Sequence, residues 1–214
     1  MSSRYESGPE GEYEPGSRGR VLRNLLGIRR VGDMQAAESR ALDTVQLWAI
    51  STYGSEHRFT SEDIRTLHCR WLGSIYPWAG EYRTVNISRA GFLFAAAERV
   101  PRLMQDFERN VLAGETPCAG MDPARLAAAL ARTHAELVLI HPFREGNGRC
   151  ARLLALLMAM QAGLPSLDFW GFAGRGKRPY VAAIHSALDR DYAPMQACFM
   201  GAIRRVSGAF ADHH

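Results

Sequence analysis

From Leu153 to Met160 the chain runs through eight residues without a charge, and the wider stretch from Arg149 to Ala162 is apolar on nearly every side of a helical wheel. A helix that is apolar all round has to be enclosed by other elements, so this one is expected at the centre of the fold, stopped by Gly163 and Pro165. The run is far below the ~20 residues that a membrane span requires. A chain of 214 residues is about one domain long. Its 47% hydrophobic and 22% charged residues supply enough apolar material to enclose such a helix and speak against a disordered or fibrous chain.

The enclosing elements are legible in patches. Residues 1–20, rich in Gly, Pro, Ser and Glu, are expected to be flexible, with folding from Val21 to Val206 and a tail over 207–214. A helix is predicted from Asp33 as N-cap to just before Gly54, and a second from the capping-box pattern Thr60 to Asp63 up to Gly73. Between Pro77 and Ala97 the helical period fails. Tyr82 to Ile87 and Gly91 to Phe94 read there as two short strands around a Ser-Arg-Ala-Gly turn. Helices resume over about Glu98 to Ala113, then from Asp122 with Pro123 at the first position, where Leu126, Leu130, Thr133, Leu137 and Ile140 repeat at helical spacing. Two more are expected at about Lys177 to Asp189 and Pro194 to Val206.

Charge and cysteines narrow the function classes. The net charge of +4 is mild and its basic residues are scattered, so no direct nucleic-acid surface is expected. Of the 26 basic residues only Lys177 is a lysine, a bias that a G+C-rich coding sequence also produces. Cys69, Cys118, Cys150 and Cys198 form no C-x-x-C pair, and no apolar leader segment is visible, which fits a reducing, cytoplasmic setting without a membrane. His57, His68, His134 and His185 show no ligand-like spacing, so a zinc site is not expected, and His213-His214 are left out of any metal argument as a possible tag remnant.

The chemistry concentrates in His141-Pro-Phe-Arg-Glu-Gly-Asn-Gly-Arg-Cys-Ala-Arg152, between an amphipathic helix and the central apolar one. Gly146 and Gly148 permit backbone turns that aim successive N–H groups inward, at the positive end of the following helix, which makes an anion cradle suited to phosphate. Arg149 and Arg152, three apart on the first turn, add guanidinium forks on one face. A carboxylate at such a site repels the anion unless a cation intervenes, so Glu145 reads as a ligand of phosphate-bridging Mg²⁺. His141 titrates near neutral pH and can take a proton from an incoming hydroxyl.

This stretch resembles, at all its defining positions, the H-x-F-x-D/E-G-N-G-R-x-x-R signature of Fic-domain proteins of the Fic/Doc family. The likeness extends over about Val21 to Val206 and includes Tyr76-Pro-Trp-Ala-Gly-Glu-Tyr-Arg83. The resemblance implies an all-α Fic fold, a helical bundle around a central buried helix with one small β-hairpin flap. It also implies an enzyme that transfers AMP from the co-substrate ATP to a Tyr, Ser or Thr hydroxyl of a target protein, releasing pyrophosphate. His141 would be the general base, Phe143 a core anchor and Glu145 the Mg²⁺ ligand. Gly146, Asn147 and Gly148 would cradle the phosphates, with Arg149 on the β-phosphate and Arg152 on the γ-phosphate. The flap, with Thr84, Val85, Asn86, Ile87, Phe92 and Phe94, would dock the target segment through its strand edge. Tyr180 and Tyr192 are candidates for the border of an adenine pocket. Two other readings stay open: a Doc-like phosphotransferase or other nucleotide-donor transferase, the former carrying Lys where this chain has Gly148, and a nucleotide-responsive binding module without turnover.

In the family the brake on activity is a helix bearing Ser/Thr-x-x-x-Glu-Gly/Asn, whose Glu pairs with the second motif arginine, here Arg152. The nearest matches, Ser2 with Glu6 and Thr52 with Glu56, lack the required Gly or Asn. The resemblance therefore implies the toxin of a toxin–antitoxin pair, regulated by a small helical antitoxin that carries the motif and docks near the Asp33 to Thr52 helix.

Overall fold

The apolar run occupies the position its composition demands. In the computed structural model it forms α6, Asn147–Gln161, with Ala151, Leu154, Met158 and Ala159 at most 1% exposed. Full burial of a large apolar side chain stabilises by about 1.5–3 kcal/mol, so this one helix supplies a substantial part of the core. The structure describes residues 9–89, 91–172 and 176–211. Among them the other helices are α1 Val31–Thr52, α2 Ser61–Leu72, α3 Val100–Phe107, α4 Ala113–Glu115, α5 Pro123–Ile140, α7 Lys177–Ser186 and α8 Ala193–Ala211. Besides short 3₁₀ turns, the described residues hold a two-stranded antiparallel hairpin, β1 Ser88–Arg89 and β2 Phe92–Leu93, with Ser88 opposite Leu93 and Arg89 opposite Phe92.

α6 packs on α5, and also on α1 and α2, which pair with each other. α8 lies along α5 and α7, burying Met195, Phe199 and Ile203. The helix ends obey their local chemistry. Thr60 Oγ1 accepts the Asp63 N–H at 3.1 Å while Asp63 accepts the Thr60 N–H at 2.8 Å, closing the expected capping box. Asp122 accepts the N–H groups of Ala124 and Arg125 at 2.8 and 2.9 Å and sets the start of α5. Asp33, by contrast, is not a cap. α1 begins at Val31 after the extended Arg30, and Asp33 sits in the first turn, where its charge meets the positive helix end. The helix expected over Glu98 to Ala113 is present and changes pitch on the way: α3 ends at Phe107, and a π-helical turn over Glu108–Leu112 leads without a break into α4.

Two expectations about extended structure are corrected. Tyr82 to Ile87 is not a strand, and the hairpin pairs only Ser88–Arg89 with Phe92–Leu93, with Phe94 N–H donating to Ile87 O at 3.2 Å. The reason is that side chains take over the backbone groups a strand partner would satisfy. Arg83, 2% exposed, donates to Val85 O at 2.8 Å and Ala95 O at 2.5 Å, and Asn86 accepts the Ala97 N–H at 2.9 Å. The N-terminal segment is also held in place at points: Glu10 and Ser17 are buried, while Glu12, Tyr13, Pro15, Gly16 and residues 18–20 stay exposed. Glu10 is 7% exposed, its carboxylate accepts Thr84 N–H and Oγ1–H at 2.5 Å each, and its carbonyl accepts Arg144 Nε–H at 2.9 Å. Polar composition concealed this because the contacts are hydrogen bonds rather than apolar burial. Residues 1–8 and 212–214 lie outside the described residues, and α8 continues to Ala211, into the expected tail.

Candidate active site

The loop between α5 and α6 draws the motif into one place. Its first residue, His141, ends α5 in the left-handed conformation (φ 53°, ψ 59°), with its N–H still bonded to Leu137 O at 3.1 Å. Nδ1 donates to Val138 O at 3.1 Å, which fixes the tautomer and leaves the Nε2 lone pair for a proton. The ring stacks on Phe94 of the flap, centroids 3.7 Å apart, and the His141 carbonyl accepts Arg83 Nε–H at 2.7 Å. Burial above all, with the nearby Arg83 cation, holds the His141 pKa down at about 4. The imidazole is therefore neutral at physiological pH.

The loop is closed from behind by residues that never face a ligand. Phe143 is fully buried and stacks on His68 at 3.8 Å, the anchor role expected of it. Asn147 Oδ1 accepts Phe143 N–H at 2.8 Å and its Nδ2 donates to Phe143 O at 2.7 Å, so its side chain serves the loop and only its backbone can reach a phosphate. Gly146 has φ 83°, and a Cβ there would lie 2.7 Å from the Trp71 ring, so the position excludes any side chain on two counts. Gly148 differs from expectation. It sits in the first helical turn without a positive φ, and its bare Cα instead leaves open the space beside Arg152, whose Nη1 would be 3.6 Å from a Cβ. The N–H groups of Asn147 and Gly148 open α6, where the helix itself offers them no acceptor.

The two arginines share a face, as their spacing predicts, yet differ in surroundings. Arg149 lies over the Trp71 ring at 4.7 Å and is held by Glu38 at 2.7 Å, with Glu145 at 3.5 Å. Arg152 is half-buried and makes no hydrogen bond or ion pair among the described residues, and burial pulls its pKa down. Glu145 spends Oε1 on the Gly146 N–H at 2.9 Å and on Arg149, leaving Oε2 uncommitted. No group of three or more His, Cys, Asp or Glu that could hold a metal occurs among the described residues. A lone carboxylate beside an anion cradle fits Mg²⁺ that arrives with phosphate oxygens and water as its other ligands, rather than a resident metal.

The flap reaches this site through Phe94 on His141 and through Phe92, which stacks on His185 of α7 at 5.0 Å. Thr84 and Asn86 are exposed and Val85 and Ile87 half-buried, leaving this stretch accessible along one side. Of the adenine-pocket candidates, Tyr180 hydrogen-bonds His134 Nε2 at 2.9 Å in an aromatic cluster with Phe172. Tyr192 donates to Glu136 and lies in a groove with Leu103 and Asn110.

Sequence reasoning missed four residues that hold the site. His68, fully buried, bridges Glu145 O at 3.0 Å and Gly80 N–H at 2.9 Å. Arg83 ties the flap root to His141, and Glu10 ties Thr84 to the N-terminal segment. Glu38 grips Arg149. One signal was present for the last: Glu38 falls four residues after Met34 and seven before Val45, on the buried face of α1, where an acid needs a partner.

Residues 58–159 match the model of the Fic/DOC family. The chain is 29% identical to the protein adenylyltransferase VbhT of Bartonella schoenbuchensis over 67% of this chain and 30% of the relative. It is 36% identical to the protein adenylyltransferase fic-1 of Caenorhabditis briggsae over 64% and 26%. It therefore spans less than a third of these relatives' lengths. Among solved structures, the BepC protein of Bartonella tribocorum with bound AMPPNP superposes at a TM-score of 0.67, covering 85% of this chain and 91% of the other at 19% identity, a likeness of fold. The motif geometry, the match of residues 58–159 to the Fic/DOC family model and the shared fold agree: the chain is similar to Fic-domain proteins over that region and has their fold.

Proposed function

We propose that the chain is a protein adenylyltransferase, moving AMP from ATP to the hydroxyl of a Tyr, Ser or Thr in a target protein, with the Fic domain extending over residues 21–206. The carrying observation is His141: a neutral imidazole with Nδ1 fixed on Val138 and Nε2 free, next to a backbone anion cradle. The target hydroxyl oxygen attacks the α-phosphorus, the bond from that phosphorus to the bridging β-oxygen breaks, pyrophosphate leaves, and the hydroxyl proton goes to His141 Nε2. The N–H groups of Asn147 and Gly148 hold phosphate oxygens, Arg149 the β-phosphate and Arg152 the γ-phosphate. Glu145 would hold Mg²⁺, which when bound neutralises phosphate charge. The flap, Thr84 to Phe94, docks the target segment by backbone pairing. This reading is supported by the names of the adenylyltransferase relatives and by a structural neighbour with bound AMPPNP.

Control falls to a partner in this reading. Arg152 carries no carboxylate among the described residues, and Glu38, the acid that α1 supplies to the site, is engaged by Arg149. The proposed regulator is a small helical antitoxin bearing Ser/Thr-x-x-x-Glu-Gly/Asn, placing its Glu on Arg152 in the cytoplasm, where the chain acts as a toxin. No helix among the described residues is long and apolar enough to cross a membrane. The test of the activity is incubation with α- or γ-labelled ATP, Mg²⁺ and a bacterial lysate. α-Label on a protein band is the expected result. γ-Label would make the chain a phosphotransferase, and no label in any band a binding module. Expression alone should slow growth, and co-expression with the antitoxin should restore it.

A further inference from the structure

Of the two acids that the sequence patterns leave unmarked, Glu10 and Glu38, the second sits against the motif loop itself. Glu38 lies in the second turn of α1, and its side chain is 5% exposed. Such a carboxylate is costly to bury unless each oxygen is matched. Here each is: Oε1 accepts the Tyr76 hydroxyl at 2.7 Å and Oε2 meets Arg149 Nη1 at 2.7 Å. The backbone of the same residue accepts Trp71 Nε1–H at 2.8 Å, and Trp71 in turn supplies the ring face on which Arg149 lies. Three elements thus converge on one guanidinium: α1 through Glu38, α2 through Trp71, and the turn after α2 through Tyr76.

An apolar trio of similar volume commonly serves stability as well as a buried ion pair does, so stability alone is weak grounds for this arrangement. What it does secure is the orientation of Arg149. With Nη1 taken by Glu38 and one face covered by Trp71, the guanidinium has little rotational freedom, and its remaining N–H groups are directed by the latch. Resting on the reading of the loop as a nucleotide site, we infer that Glu38, latched by Tyr76, is a positioning residue. It holds the Arg149 guanidinium in the one orientation that engages the β-phosphate of the nucleotide. Its carboxylate acts through Arg149, and the orientation is set before nucleotide arrives.

The contribution of a β-phosphate is read by comparing ADP with AMP. Calorimetric titration of the full chain at fixed Mg²⁺ should show the parent binding ADP more tightly than AMP. Glu38→Ala should lower that ratio about tenfold, the value of one charge-assisted contact, while the AMP affinity and the melting temperature of the AMP complex relative to the apo protein stay near the parent's. Glu38→Gln, a neutral side chain long enough to reach both Tyr76 and Arg149, should keep the ratio within about threefold, because orientation rather than charge is what it preserves. Ala and Gln variants that both bind ADP more tightly would overturn the inference, since the role would then be charge neutralisation alone. If Glu38→Ala does not fold, Glu38→Asp, one methylene short of spanning the two partners, carries the same test: a lowered ratio supports positioning and an unchanged one overturns it. A parent that binds ADP and AMP alike removes the nucleotide reading and this inference together. A discriminating parent with an equally discriminating Glu38→Ala removes the inference only.

Discussion

The proposed proton transfer asks for a neutral imidazole, and the surroundings of His141 supply one. Its pKa, held at about 4 chiefly by burial, keeps the imidazole unprotonated across the physiological range. The acid limb of kcat/KM for transfer should therefore fall off below about pH 5 rather than near the ordinary histidine value of about 6.5, and a limb centred near 6.5 would show that the ring is solvated in the free enzyme. His141→Ala should cost on the order of 10²–10⁴-fold in rate while AMPPNP binding survives, because the ring acts on the hydroxyl proton and not on the phosphates. Full activity in the folded variant would falsify the base assignment. Glu145 makes a different kind of contribution. With Oε2 uncommitted, it should be the protein's hold on a divalent ion, so Glu145→Gln should raise the Mg²⁺ concentration needed for half-maximal transfer. A transfer rate that ignores both this substitution and EDTA would leave Glu145 only its bond to the Gly146 N–H.

At the scale of elements, the flap and the motif loop behave as one unit because Arg83 joins them. Its guanidinium reaches Val85 and Ala95 on the flap side and the His141 carbonyl on the other, and none of these acceptors has a strand partner to replace it. Arg83→Met should thus unfasten the flap root. The expected outcome is a loss of about 3 kcal/mol or more by chemical denaturation, with limited proteolysis cutting first between residues 84 and 95. Cleavage elsewhere would locate the damage in the core. The same element marks where sequence reading succeeds and where it stops. The buried α6, the Thr60 and Asp122 caps and the motif loop were legible, because apolar periodicity and cap chemistry are written in neighbouring residues. Arg83, His68, Glu10 and Glu38 were not, because each satisfies backbone or charge far along the chain: Glu10 and Thr84 are 74 residues apart, His68 and Glu145 77. Short-range patterns carry no record of such partners. For the same reason Tyr82 to Ile87 reads as a strand from its β-branched and aromatic composition, although Thr84 N–H and Val85 O are met by side chains and Arg83 N–H by Pro142 O of the motif loop.

At the scale of the molecule, the packing of the described residues encloses His68, His134 and His141 in their neutral form, and this ties stability to pH. His68 joins α2 to the motif loop, His134 sits between α5 and Tyr180 of α7, and His141 closes α5. Burial is the main cause in each case, holding His68 at about 4, His134 at about 3 and His141 at about 4. Each folded value lies below the unfolded value of about 6.5, so between the two the unfolded chain binds more protons than the native one. The stability these rings contribute is complete above about pH 6.5 and drains away as the pH falls toward 4, at up to about 1.4 kcal/mol per histidine per pH unit. The upper part of that window is diagnostic, because carboxylates, with ordinary values near 4, are still ionised at pH 5.5. Thermal melts should therefore be level from pH 8 to 7 and descend steadily from 6.5 to 5. His134→Gln, which removes one of the three rings, should be less stable than the parent at pH 7.5 but should descend with a shallower slope. A melting temperature that stays constant down to pH 5 would mean that the interior admits water or protons to these rings, and with it the neutral state assigned to His141 would fail.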